Sequence, residues 1–169
     1  MAVFNEYLME SDVGETLASK PRNTMARILL IEDDESVRTV LYLTLVHVGH
    51  EVIEASNGRE GLDRFRETKP DLVITDIVMP EKEGFEVLMK IRRKNPALKI
   101  IAISGGGLHN AAHYLHTAKL LGAAKVLAKP FSNEELMAAV NELLEHPTSS
   151  ILLRQGSEGQ VERPTPKGP

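Results

Sequence analysis

There is no cysteine among these 169 residues, and no tryptophan. The first absence excludes disulfides, thiolate catalysis and cysteine zinc sites, and is compatible with a reducing compartment. The second, with aromatics at only 4%, leaves the core to Leu, Ile, Val and Ala; a hydrophobic content of 42% is enough to build one. Basic excess is missing too. A formal charge of -4 and a pI near 5.9 argue against broad, non-specific binding to nucleic acid. No apolar run approaches the ~18 residues needed to cross a bilayer. The opening MAVFNEYLMESDVGE lacks the basic start and long apolar stretch of a signal peptide. These absences predict a soluble, cytoplasmic chain with no membrane or nucleic-acid partner.

The length suits one domain with something left over. Residues 1–24 are polar without sustained periodicity and read as a disordered tail or a non-native start. Met25 opens MARILLIEDD, which looks like a natural domain start, and the domain is expected to span 25–146. From Pro147 onward, PTSSILLRQGSEGQVERPTPKGP is rich in Pro, Gly and Ser and reads as a second disordered tail.

Between these ends the pattern alternates. Short, often β-branched apolar runs at 27–31 (RILLI), 51–55 (EVIEA), 72–75 (LVIT), 99–103 (KIIAI) and 124–128 (AKVLA) predict strands. Helical spacing predicts helices over 36–47, 58–68, 84–94, 108–121 and 133–146. Ser132 and Glu135 form a capping box for the last helix; Gly49 and Gly122 act as stop signals, as do Pro70 and Pro96. Five βα units imply an α/β fold with a doubly wound, five-stranded parallel sheet and right-handed crossovers. Ligands in such a sheet bind outside the carboxyl ends of the strands.

The residues expected there are Glu32, Asp33 and Asp34 after strand one, Asp76 after strand three, Ser104 after strand four, and Lys129 and Pro130 after strand five. Carboxylates converging from two strands repel each other unless a cation lies between them. Hard oxygen donors without Cys or His suit Mg²⁺. A lysine and a hydroxyl facing that cation would grip an anion such as a phosphoryl group, which Asp76 could accept as an aspartyl phosphate. The stretch SGGGLHNAAHYLH offers two rival sites. Gly105 to Gly107 could cradle a phosphate, but no Walker lysine or G-x-G-x-x-G accompanies them. His109, His113 and His116 could share one helical face and hold a metal, but no acid or Cys lies among them.

IEDDESVR, PDLVITDIVMPEKEGFEVL, the Ser104 strand end and GAAKVLAKPF together resemble the receiver domain of two-component response regulators, over Ala26 to about His146. The resemblance implies a flavodoxin-like (βα)5 fold of strand order 2-1-3-4-5. It implies a phosphorylatable switch in which Asp76 accepts a phosphoryl group from a histidine kinase or histidine phosphotransfer protein. By the same resemblance Asp33, Asp76 and the backbone carbonyl of Val78 would hold Mg²⁺, with Glu32 acting through water. Lys129 would pair with the carboxylate and then the phosphoryl oxygens, Ser104 would close on the phosphoryl group, and Pro130 would follow a cis peptide bond. Gly105 would keep side-chain bulk away from the site. No helix-turn-helix or cyclase-like segment follows His146, so a stand-alone receiver is expected, without enzymatic turnover beyond its own phosphorylation and dephosphorylation. It would act by phosphorelay or by contact with an unknown downstream protein, on a face that also permits a homodimer.

Two departures from the family pattern stand out. The stretch from Ser104 to Gly122 is longer than expected by about one helical turn, so the fourth helix or its leading loop is remodelled. Val126 sits where receivers commonly place an inward-swinging Tyr or Phe, and its stiff χ1 and lack of a ring prevent that motion. Two other readings stay open. One is a pseudo-receiver that only binds. The other is an aspartyl-nucleophile phosphatase, although Val78 stands where such enzymes place their general acid.

Overall fold

The computed structural model describes residues 25–80, 83–105 and 107–145. The expectations for residues 1–24 and 147–169 lie outside them. Among the described residues, strands and helices alternate as β1 (Arg27–Ile31), α1 (Glu35–His47), β2 (Glu51–Ala55), α2 (Gly58–Thr68), β3 (Leu72–Asp76), α3 (Glu83–Lys94), β4 (Lys99–Ser104), α4 (Gly107–Leu120), β5 (Lys125–Ala128) and α5 (Asn133–Glu145). All strand pairs are parallel, in the order β2-β1-β3-β4-β5. This is the doubly wound sheet of a flavodoxin-like fold.

Alternation along the strands sends successive side chains to opposite faces. Leu29, Ile31, Val73, Ile100 and Ala102 join Leu88 and Ile91 of α3 and Ala118 of α4 in one core layer. Ile28, Leu30, Leu72, Ile74, Ile101 and Ile103 join Leu41 and Leu45 of α1 and Leu136 and Val140 of α5 in the other. Because both faces are covered, the central strands carry near-continuous apolar runs, and β3 is buried at every position. Each fully buried Leu or Ile contributes about 1.5–3 kcal/mol.

The punctuation behaves as its chemistry demands. Asn57 caps α2 by accepting the Glu60 N–H at 2.9 Å. The Ser132–Glu135 box is closed in both directions, at 2.7 and 3.2 Å. Gly122 adopts φ +104° after α4, and a side chain there would meet the Arg92 guanidinium at 2.8 Å.

After β4 the fourth helix begins one residue earlier than expected and ends one residue earlier. Only Gly105 and Gly106 separate β4 from α4, and Gly107 already belongs to a helix of 14 residues. The three-glycine loop read from the sequence is therefore shorter than expected, since a glycine can open a helix where the first N–H groups have no intrahelical partner.

Candidate functional site

Register positions the site. Ile31 lies beside Thr75, so Glu32 follows level with Asp76; Asp76 lies beside Ile103, and Ser104 beside Ala128. The chain positions just past β1, β3, β4 and β5 thus converge on one edge of the sheet. Glu32 is completely buried, Asp76 nearly so at 4% exposure, and Asp33 is exposed on the rim. Each offers a carboxylate oxygen, and these lie within 4.8 Å of one another.

Lys129 ties the cluster together. Its Nζ donates to Glu32 Oε2 and to Asp76 Oδ2, both at 2.6 Å. Burial alone would push the ammonium down, but the hydrogen bonds to Asp76 and Glu32 more than offset it and hold Lys129 above the usual lysine value. Burial likewise lifts the Glu32 carboxyl above its ordinary value; the Lys129 hydrogen bond opposes that rise, and the charge of Asp76 adds to it. Three carboxylates face one ammonium, so the pocket is short of positive charge. Hard oxygen donors with no nitrogen or sulfur among them fit Mg²⁺.

Ser104 is fully buried at the end of β4, and its Oγ finds no hydrogen-bond partner among the described residues. Such an atom is costly unless something else satisfies it. The Lys129–Pro130 peptide is cis. Gly105 has a more local reason than the sequence suggests: a Cβ there would meet Lys129 Cδ at 3.1 Å, so the glycine leaves room for the lysine stem. Val78 is 40% exposed beside the pocket.

Asp34 does not join the cluster. Its carboxylate caps α1, accepting from Ser36 N at 2.8 Å and Val37 N at 3.0 Å, and the Val37 N–H chiefly holds its carboxyl below the usual range. His113 and His116 are exposed on α4, apart from the acidic cluster, and the side chain of His109 lies outside the described part. Val126 is partly buried against the same core layer as Phe85 of α3 and Tyr114 of α4, whose rings lie 6.1 Å apart.

Three contributors escaped the sequence reading. The Val78 N–H donates to Asp76 Oδ1 at 2.7 Å, orienting the carboxylate from the far side of Lys129. Arg38 Nη1 binds the Glu32 carbonyl at 2.8 Å, and its Nε pairs with Glu54 at 3.5 Å. Gly84 lets α3 start against β3: a Cβ there would stand 2.3 Å from the Asp76 carbonyl oxygen and 2.5 Å from Ile77 Cα. Only the glycine carried a legible signal, since it stands at the start of a predicted helix.

Known proteins agree with this architecture. The model for the response regulator receiver domain matches residues 28–141. The chain is 35% identical over 118 residues to the chemotaxis protein CheY of Thermotoga maritima, covering 69% of this chain and 96% of that one. It is 34% identical over 122 residues to the probable transcriptional regulator ycf27 of Porphyra purpurea, covering 72% and 49%. Among solved structures, a response regulator receiver domain protein from Clostridium thermocellum superposes with a TM-score of 0.67 at 32% identity, over 72% of this chain and 95% of that one. The chain spans about half the length of the first curated relatives it matches. Among the described residues no helix is long and apolar enough to cross a membrane. With the matched span running through all five strands and the acidic edge they build, the chain belongs to the response regulator receiver domain family.

Proposed function

We propose that this receiver is switched by transfer of a phosphoryl group to Asp76 from a phosphohistidine donor, a histidine kinase or a histidine phosphotransfer protein. The observation that carries the reading is the placement of Lys129 Nζ 2.6 Å from both Glu32 and Asp76, with a third carboxylate, Asp33, beside them. Asp76 Oδ attacks phosphorus; the N–P bond of the donor breaks, its electron pair returns to the imidazole, and an acyl phosphate O–P bond forms.

Asp33, Asp76 and the Val78 carbonyl would hold Mg²⁺, with Glu32 acting through water. Bound there, the ion supplies positive charge against the phosphoryl oxygens. Lys129 neutralises the attacking carboxylate's second oxygen and passes to the phosphoryl group as charge builds on it. The Val78 N–H steadies Oδ1, so that Asp76 keeps one orientation through the transfer. The Ser104 hydroxyl supplies a donor to the phosphoryl group, which would satisfy an oxygen otherwise without a partner. Water then attacks phosphorus, breaks the acyl phosphate and restores the carboxylate.

Output runs through protein contact: phosphorylation biases a two-state equilibrium, and a downstream protein or a second copy reads the face of α4, β5 and α5. With Val126 in β5, the signal is carried by the glycine connection after β4 and by α4.

Intact mass after incubation with acetyl phosphate tests the chemistry, with and without Mg²⁺, on the natural chain and on Asp76→Asn. One phosphoryl adduct requiring both Mg²⁺ and Asp76 is expected. No adduct from acetyl phosphate or from a phosphorylated histidine donor would overturn the reading in favour of a module that only binds. Sustained turnover of a small phosphomonoester would overturn it in favour of a phosphatase.

A further inference from the structure

The groove between α2 and α3 is not used by the phosphoryl site. Two adjoining cavities form it, of about 290 and 200 Å³, and both are lined by Leu62, Arg66 and Lys90. In the larger, Asp63 and Glu86 balance part of the charge by pairing with Arg66 and Lys90. The smaller is lined by Leu62, Phe65, Arg66, Lys90, Arg93 and Lys94: four cations, two apolar side chains and no carboxylate. Arg93 and Lys94 have no ion-pair partner among the described residues and are exposed. This stands out in a chain of net charge -4.

The dipole of α3 favours cations in its last turn and accounts for part of the pattern. Arg66 likewise sits in the last turn of α2, but neither dipole accounts for Lys90 or for the partly buried Leu62 and Phe65 between the cations. Unlike an isolated basic patch, the hollow combines an apolar seat with a rim of one sign. The hollow also stands apart from Asp76. Gly84 abuts the Asp76 backbone, and Lys94 lies ten residues along the helix, about 15 Å away at 1.5 Å per residue.

We propose that the end of the α2–α3 groove near Arg93 and Lys94 docks an acidic segment of a partner protein. One apolar side chain of that segment rests on Leu62 and Phe65, and flanking carboxylates meet Arg93 and Lys94. Charge complementarity names the partner's chemistry, and the apolar seat requires an apolar residue among its acids. Nucleic acid fits less well. A phosphate backbone offers no aliphatic side chain for the seat made by Leu62 and Phe65.

The test uses the full chain and a fluorescein-labelled peptide, DDELFEEE, followed by fluorescence polarisation. Binding is expected, weakening as salt rises. The Arg93→Gln/Lys94→Gln pair should weaken it by about tenfold or more. Lys119→Gln, on α4, should leave it unchanged, and the peptide NNQLFQQQ should not bind. The double variant should still form the acetyl phosphate adduct on Asp76, so failure here is distinguishable from failure of the receiver chemistry. No peptide binding up to about 1 mM, equal binding by the double variant, or tighter binding of single-stranded DNA through the same residues would each overturn the proposal.

Discussion

Asp33 stands on the rim of the pocket with its carboxylate close to those of Glu32 and Asp76, and among the described residues Lys129 is the one ammonium paired within the cluster, with Glu32 and Asp76. Like charges so close oppose folding when no added cation is bound. Asp33→Asn is therefore expected to raise the metal-free thermal midpoint by about 2–4 °C and to remove most of the stabilisation that Mg²⁺ gives the natural chain. A lowered midpoint with an unchanged Mg²⁺ response would contradict that account. His50 offers a second single-residue experiment. It is 5% exposed, its Nδ1 accepts the Ala26 N–H at 3.4 Å, and its Nε2 has no partner among the described residues. Burial holds its pKa below the usual 6.5. The unfolded chain thus takes up this proton at a higher pH than the folded one. The contribution to stability is complete above pH 6.5 and is lost as pH falls below that value through the folded pKa. The urea midpoint is expected to drop between about pH 7.5 and about pH 5.5, and to drop less in His50→Leu. An equal drop in both proteins would assign the effect to other groups.

At the scale of elements, two glycines make a comparison. A Cβ at Gly84 would collide with fixed backbone at Asp76 and Ile77, whereas one at Gly61 would meet the tip of the Ile31 side chain at 2.4 Å. Gly84→Ala is expected to cost about 1–3 kcal/mol and to slow phosphorylation of Asp76, because α3 can begin only by displacing the segment that aims the carboxylate. Gly61→Ala should cost less and leave phosphorylation intact. Urea unfolding and the intact-mass assay read both effects, and the reverse order would refute the packing explanation. The elements themselves were largely legible. β1, β2 and α2 match their predicted ranges residue for residue, because apolar period and capping chemistry are local. The start of α4 was less so, since three glycines look alike in sequence while Gly107 already belongs to the helix.

For the whole molecule, we propose 25–146 as the folding unit, because both core layers are drawn from within it. A chain cut to 25–146 is expected to match the full chain's unfolding free energy to within about 0.5 kcal/mol, and a larger loss would assign a stabilising role to 1–24 or 147–169. The sequence by itself determined the alternation of strands and helices, their caps, and the placing of Asp76, Ser104 and Lys129 at strand ends, since each depends on neighbours a few residues away. Tertiary structure alone decided who meets whom. Parallel crossovers insert β1 between β2 and β3, bringing Glu32 level with Asp76, and Lys129 reaches both across 97 and 53 residues of chain. It also decided that Asp34 caps a helix while Asp33 joins the site, and that basic residues of α2 and α3 surround one apolar hollow. The reason is physical: period and propensity act over a turn or two of chain, whereas strand order and helix packing set contacts between segments whose separation in sequence carries no trace of their distance in space.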